Sequence, residues 1–317
     1  MTKVTIFGCN QMAESITSCL AISETVSEVV IFDDNKDKVA GVVMDFQHGQ
    51  LFHSTKVVAA ESVVDTAFSD VVVVTSGMPF RTDDTAEMKA GKLTKLKAYF
   101  TEIVPHIAKL SKDAIVIVVC YPNDAATQYM SQLLKFPPGR VIGSGTFCDT
   151  ARLKWKVASA LGVRPAHVHL HVIGEHNGVE MAAIDNAMCG GSQLTRRLKR
   201  DEIVAMHTEV SHGFEQIIKV RGWTSQSIGF TIRHIIHSIL ADTREVLPLS
   251  VNVRGQVPGI DEDTFLSMPV VVGTGGVVKL WQMELGKDER AKLVQAGENV
   301  RQTVFRMKAI KAVPKAE

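Results

Sequence analysis

Val4-Thr5-Ile6-Phe7-Gly8-Cys9-Asn10-Gln11-Met12-Ala13, continued by a helical pattern to Leu20, a second β-branched run Val29-Val30-Ile31-Phe32 and then Asp33, decides the fold of this chain. Strand, glycine turn, helix, strand and carboxylate in that order is the layout of a dinucleotide-binding βαβ unit. The tight turn brings backbone N–H groups and a helix N-terminus to a pyrophosphate, and the acidic residue about 20 positions on faces a ribose. The turn reads GxNxxA. Gly8 stands, Asn10 takes the position where a missing side chain lets the backbone approach the phosphates, and Ala13 is an accepted small residue. Gly8, Asn10, Gln11 and Met12 are therefore the candidate pyrophosphate residues. Asp33 has two readings: a ribose acceptor that favours NAD over NADP by repelling a 2′-phosphate, or, with Asp34, a cap of the following turn. Thr75, Ser76 and Gly77 complete the expected cofactor edge.

Outward from this unit the first half keeps alternating strands and helices, which means a parallel sheet. A helical pattern runs from Lys36 to Gly49, and the runs Val71 to Val74 and Ile115 to Val119 are apolar at every position, as strands covered on both faces are. The polar stretch Phe80 to Lys92, opened by Gly77-Met78-Pro79, reads as a loop or lid over the carboxyl ends of the strands, with helical spacing resuming from Leu93 to Leu110. In the second half we expect a strand from His167 to Ile173, helices over Arg200 to Arg221 and Thr224 to Val246, two further segments at Phe265 to Thr274 and Gly276 to Met283, and a last helix from Asp288 to Met307. The expectation is a Rossmann-type doubly wound α/β domain over residues 1–144 followed by an α+β substrate domain over 145–317, sharing an interface.

Composition narrows the partners. The 317 residues are 45% hydrophobic and carry a formal net charge of +1, so no global field favours nucleic acid or an anionic membrane. No apolar run approaches the roughly 20 residues of a membrane helix, and no charged-then-apolar leader precedes the first strand. Cys9, Cys19, Cys120, Cys148 and Cys189 are scattered and without a CxxC pair, which suits a reducing, cytoplasmic compartment. The basic run Lys308 to Lys315 reads as a solvated end. His167, His169 and His171 alternate on the expected strand, but no carboxylate or cysteine cluster joins them and we expect no metal.

The chemistry concentrates in Gly174-Glu175-His176 and Cys148-Asp149-Thr150-Ala151-Arg152. Together they offer a proton shuttle, an orienting carboxylate and a carboxylate-binding guanidinium, a set that suits a substrate bearing both a hydroxyl and a carboxylate.

Five ordered motifs, Val42 to Gly49, Arg140 to Gly145, Asp149 to Arg152, Val172 to His176 and Gly222 to Ser225, resemble the landmarks of the NAD-dependent L-lactate/malate dehydrogenase family, and Pro258 to Pro269 is similar too. The resemblance runs nearly end to end. It implies that His176 takes the hydroxyl proton, that Asp149 holds its tautomer, that Arg152 clamps the substrate carboxylate and that Thr224 lines the wall near the substrate C3. It also implies a homo-oligomer, dimer or tetramer. Met44 and Phe46 are expected to pack.

Four positions depart from the family pattern. Tyr121 stands before Pro122 where the family places an asparagine whose amide meets the substrate oxygen. In the loop, Arg81 falls where malate dehydrogenases hold a second substrate carboxylate, and about Lys89 falls where a polarising arginine is expected. Asn177 follows His176 in place of a glycine, and Asn10 stands in the phosphate turn. Two readings follow: a dehydrogenase exchanging a hydride between NAD and a small 2-hydroxy/2-oxo acid, with Arg81, Lys89 or Tyr121 in altered roles, or a catalytically weak or inactive relative retained as a binding or structural component.

Overall fold

The computed structural model describes residues 2–75 and 84–310. Its first half runs β1 (Lys3–Phe7), α1 (Gln11–Ile22), β2 (Glu28–Phe32), α2 (Lys36–His48), β3 (Lys56–Ala59), β4 (Val71–Val74), α3 (Ala86–Leu110), β5 (Ile115–Val118), α4 (Asn123–Leu134) and β6 (Val141–Gly143). The six strands are parallel in the order β3-β2-β1-β4-β5-β6, and the chain reverses its winding between β1 and β4. Ligand clefts of doubly wound sheets open at that switch, beyond the carboxyl ends of the strands. Every residue of β4 and β5 is buried, which is why both read as unbroken apolar runs.

The second half runs α5 (Phe147–Leu161), β7 (Val168–His169), β8 (Val172–Gly174), β9 (Glu180–Ala182), β10 (Met188–Cys189), β11 (Ser192–Gln193), α6 (Arg200–Ser211), α7 (Gly213–Arg221), α8 (Gln226–Leu240), β12 (Val246–Asn252), β13 (Phe265–Gly273), β14 (Gly276–Leu280) and α9 (Lys287–Ala309). The sheet does not stop at β6. It continues antiparallel through β12, β13, β8 and β9, with β14 also on β13, so one sheet passes through both halves. The seam between β6 and β12 is a single residue pair, Gly143 with Ser250. Glycine is required there by close approach: a Cβ at Gly145, whose φ is +56°, would lie 2.7 Å from the Ser250 backbone nitrogen. The Arg140 to Gly145 motif is thus first a packing motif.

Four expected elements differ. α3 begins at Ala86, not near Leu93, because Thr85 caps it by accepting from the Met88 N–H and the polar residues form its outer face. Lys89 and Lys92 therefore stand on a helix. The expected helix from Arg200 to Arg221 is broken at His212 into α6 and α7. The expected helix to Val246 ends at Leu240, after which Asp242 and Arg244 turn the backbone into the left-handed region and β12 begins. Finally, His167 to Ile173 is not one strand: β7 belongs to a small sheet with β10 and β11, whereas β8 belongs to the main sheet. The three histidines accordingly share no strand face.

Phe46 packs against the core as expected, but Met44 is exposed on α2, and Leu51 and Phe52 just beyond that helix are exposed with it. All five cysteines are free. Among the described residues, no helix is long and apolar enough to cross a membrane.

Candidate active site

β8 ends at Gly174, whose φ of +112° and lack of a Cβ let the chain turn tightly against the Val179 carbonyl and present His176. Asp149 comes from the first turn of α5 and Arg152 from the second, three residues on and on the same face. His176 Nδ1 donates to Asp149 Oδ2 at 2.6 Å, and Arg152 Nη1 donates to Asp149 Oδ1 at 2.6 Å. A second buried carboxylate fixes the turn: Asp124 Oδ2 accepts the His176 backbone N–H at 2.8 Å while its Oδ1 accepts from Ser267 at 3.0 Å. With Nδ1 donating to Asp149, the neutral ring has Nε2 as its acceptor. That nitrogen receives an N–H from the Asn177 carboxamide at 2.9 Å.

The electrostatics follow from this pairing. Burial works against both charged forms, yet the Asp149 carboxylate beside the ring raises the His176 pKa to about 9. For Asp149 the penalty of burial is outweighed by His176 and Arg152, which hold its pKa below the usual carboxylate range. Burial, then Asp124, pushes Glu175 up to about 7, and burial raises Asp124 itself.

Arg152, His176, Asn177, Tyr121 and Thr224 line one cavity of about 360 Å³, together with Asn10, Gln11 and Met12 from the glycine turn. The structure therefore brings His176, Arg152, Tyr121 and Thr224 together with three residues of the phosphate turn, and Asp149 stands behind them on His176 and Arg152. Sequence reasoning missed the opposite wall. Phe214 and Ile218 of α7, with Trp223 and Ile228, supply apolar surface, and Cys120 and Cys148 line the cavity from below. Phe214 and Ile218 lie one helical turn apart, a spacing that carries the signal once α7 is separated from α6. The Tyr121 hydroxyl is raised above its ordinary pKa by burial and then by Glu175, so it stays protonated at neutral pH.

At the turn after β1, Gly8 has a φ of +106° and Asn10 an extended φ of −133°, so the backbone at Asn10 needs no glycine. Its side chain folds over the helix end. Asn10 Oδ1 accepts from Met12 N and Ala13 N at 3.0 and 3.1 Å, and its Nδ2 donates to the Thr75 carbonyl at 2.7 Å. Asp33 directly follows β2 and accepts from Cys9 N at 2.8 Å and Asn35 N at 3.0 Å. Thr75 is fully buried with its hydroxyl on the Phe7 and Gly8 carbonyls, so its side chain braces the turn. Ser76, Gly77 and Arg81 lie outside the described residues. Lys89 stands on the first turn of α3 and lines a neighbouring cavity with Tyr121 and Asn177.

Residues 2–143 match the NAD-binding domain of lactate/malate dehydrogenases, and residues 146–310 match the α/β C-terminal domain of the same enzymes. The chain belongs to the lactate/malate dehydrogenase family. It is 30% identical over 310 residues to an L-lactate dehydrogenase of Clostridium botulinum (strain Loch Maree / Type A3), covering 96% of each chain. It is 32% identical over 306 residues to the L-lactate dehydrogenase A chain of Parachaenichthys charcoti and over 308 residues to that of Champsocephalus gunnari, in both cases covering 94% of this chain and 91% of the relative.

The family's dinucleotide can be tested against the residues in place. A positive-φ glycine, a helix N-terminus and a carboxylate at the end of β2 form the cradle that NAD requires. Asn10 places a carboxamide over two of the amides that face the phosphate side. The cradle fits NAD. Asp149, His176 and Glu180 also bring one ligand atom each within 4.8 Å of one another. Asp149, however, already has one oxygen on Arg152 and the other on His176, so the guanidinium stands where a metal ion's charge would act.

Proposed function

We propose that this family member is an NAD-linked dehydrogenase of a small 2-hydroxy acid. The observation that carries the reading is the placement of His176 and Arg152 on the lining of one cavity that the glycine turn also reaches, with Asp149 bonded to both. When bound, the dinucleotide supplies the carrier for the hydride exchanged with C2 of the substrate. His176 Nε2 takes the hydroxyl proton in oxidation and returns it to the carbonyl oxygen in reduction. Asp149 holds the ring with Nδ1 protonated and stabilises the imidazolium. Arg152, anchored on Asp149 through one nitrogen, offers its remaining N–H groups to the substrate carboxylate. Phe214, Ile218 and Trp223 exclude water from the reacting atoms.

Whether the substrate carries a methyl group or a second carboxylate at C3 is a matter of Arg81 and Thr224 in this reading: Arg81 favours a dicarboxylate of the malate type, and a lactate-type substrate leaves it free. The second reading, a catalytically weak relative retained for binding, is favoured by Tyr121 in place of the amide and by the capped turn at Asn10. We further propose a domain boundary at 144/145, action in a reducing, cytoplasmic compartment and a dimer or tetramer. Exposed Met44, Leu51 and Phe52 support an interface.

The test is NADH binding by fluorescence, followed by reduction of pyruvate and oxaloacetate by the wild type and His176→Ala. The expected result is turnover of one acid, lost by at least about 10³-fold in the variant while NADH affinity stays within about twofold. Turnover that survives in His176→Ala removes the assignment, and NADH binding with no acid turned over favours the second reading.

A further inference from the structure

Tyr121 leaves the proposed reaction without the amide that should meet the reacting oxygen, and the cavity holds few replacements. Asn123 is engaged on both ends, its Nδ2 donating to the Val118 carbonyl and its Oδ1 accepting from Gly145 N. Asn10 is engaged likewise at the glycine turn. Gln11 is exposed at the first turn of α1. Among the described residues that line the cavity, the remaining carboxamide is that of Asn177, and its N–H points at the shuttle nitrogen itself, 2.9 Å away.

We infer that Asn177 is the second hydrogen-bond donor to the reacting substrate oxygen, supplying from the residue after the shuttle what position 121 does not. This rests on the dehydrogenase reading above. The geometry is a triangle. A substrate oxygen at hydrogen-bond distance from His176 Nε2, about 2.8 Å, has a position that also lies about 3 Å from Asn177 Nδ2, because the two nitrogens are themselves 2.9 Å apart. Nε2 has one lone pair, so in that position the substrate hydroxyl replaces the Asn177 N–H on Nε2, and the same oxygen accepts the displaced N–H. As the proton crosses and the carbonyl forms, that N–H, released from Nε2, meets the oxygen whose charge changes. The backbone makes the arrangement possible: Asn177 has a φ of +59°, a conformation that asparagine tolerates and that bulky residues do not. Its backbone is held further by a 3.4 Å hydrogen bond from its main-chain N–H to Glu180 Oε2. Tyr121, on the same wall, carries its hydroxyl at the far end of a ring, beyond the reach of an amide on that backbone position.

The experiment uses wild type, Asn177→Gly, Tyr121→Asn and the double variant, each with two readouts. Glycine suits the left-handed backbone, so Asn177→Gly folds. The first readout needs no turnover: the His176 titration followed by NMR of ¹⁵N-histidine-labelled protein between pH 6 and 10. An N–H donated to neutral Nε2 favours the neutral ring, so its removal raises the titration midpoint by about half a pH unit. A fall or no change means that the amide does not donate there, and overturns the inference. The second readout is kcat. Asn177→Gly lowers it about 10²–10³-fold in the wild-type background but less than about tenfold in the Tyr121→Asn background, where the substituted amide serves instead. An unchanged or raised kcat in Asn177→Gly, or an equal loss in both backgrounds, overturns the role of Asn177 while the dehydrogenase reading stands. A wild type that turns over no 2-oxo acid overturns the dehydrogenase reading itself, and with it this role.

Discussion

Asn10 and Asn177 are the same residue type on the lining of one cavity, and their carboxamides are engaged differently. At Asn177 the side chain adds a donor beside the shuttle. At Asn10 it occupies the amides of Met12 and Ala13 that a helix N-terminus otherwise turns to an anion. Asn10→Gly should therefore tighten NADH about tenfold by fluorescence titration, while stability in urea falls by only a few tenths of a kcal/mol, the usual difference between asparagine and glycine as an N-cap. An affinity that is unchanged or weaker shows that the carboxamide does not compete with the pyrophosphate. Residue types and spacing made His176, Asp149 and Arg152 legible, because the role proposed for each suits few side chains. The bond from Asn177 to the ring was not legible, since it depends on a left-handed backbone angle. Nor was the wall of Phe214, Ile218 and Trp223, whose apolar residues look like any packing surface until α7 is folded over the cavity.

Elements with a single environment were read well, and elements that change environment part-way were not. β4 and β5 are covered on both faces along their whole length and stand as apolar runs. The segment from His167 to Ile173 passes from a small sheet into the main one, and the link at Leu170 and His171 interrupts what its alternation implies. β12 carries Pro248 within an otherwise β-rich run, and proline masks a strand that does form. The link between β7 and β8 also has a pH signature. Burial, with Lys154 and His169 nearby, lowers the His171 pKa to about 4, and its Nδ1 has no hydrogen-bond partner among the described residues. An unfolded histidine titrates near 6.5, so between there and about 4 the unfolded chain holds the extra proton and stability falls as pH falls. The urea midpoint should drop across that window in the wild type and less steeply in His171→Phe; equal slopes would remove His171 from the acid response.

The molecule is two family domains on one sheet, and the strand pairing at their join is a single residue pair while the packing there is tight. Gly143 pairs with Ser250, and a Cβ at Gly145 would meet the Ser250 backbone. Gly145→Ala adds both a left-handed penalty and that clash, and should cost about 3 kcal/mol or more. Because the larger hydrophobic core spans both halves, the loss should appear as one shifted thermal transition by calorimetry; two resolved transitions in the variant would show that the halves unfold separately. The same topology bears on how the chain is made. β6 is synthesised about a hundred residues before β12, so the nascent first half, once folded, has an open sheet edge while the ribosome completes most of the second. Unpaired edges invite pairing with other chains, and β6 limits that exposure by being only three residues long. A strand that is a weak seam in the finished protein is thereby a safe edge in the unfinished one.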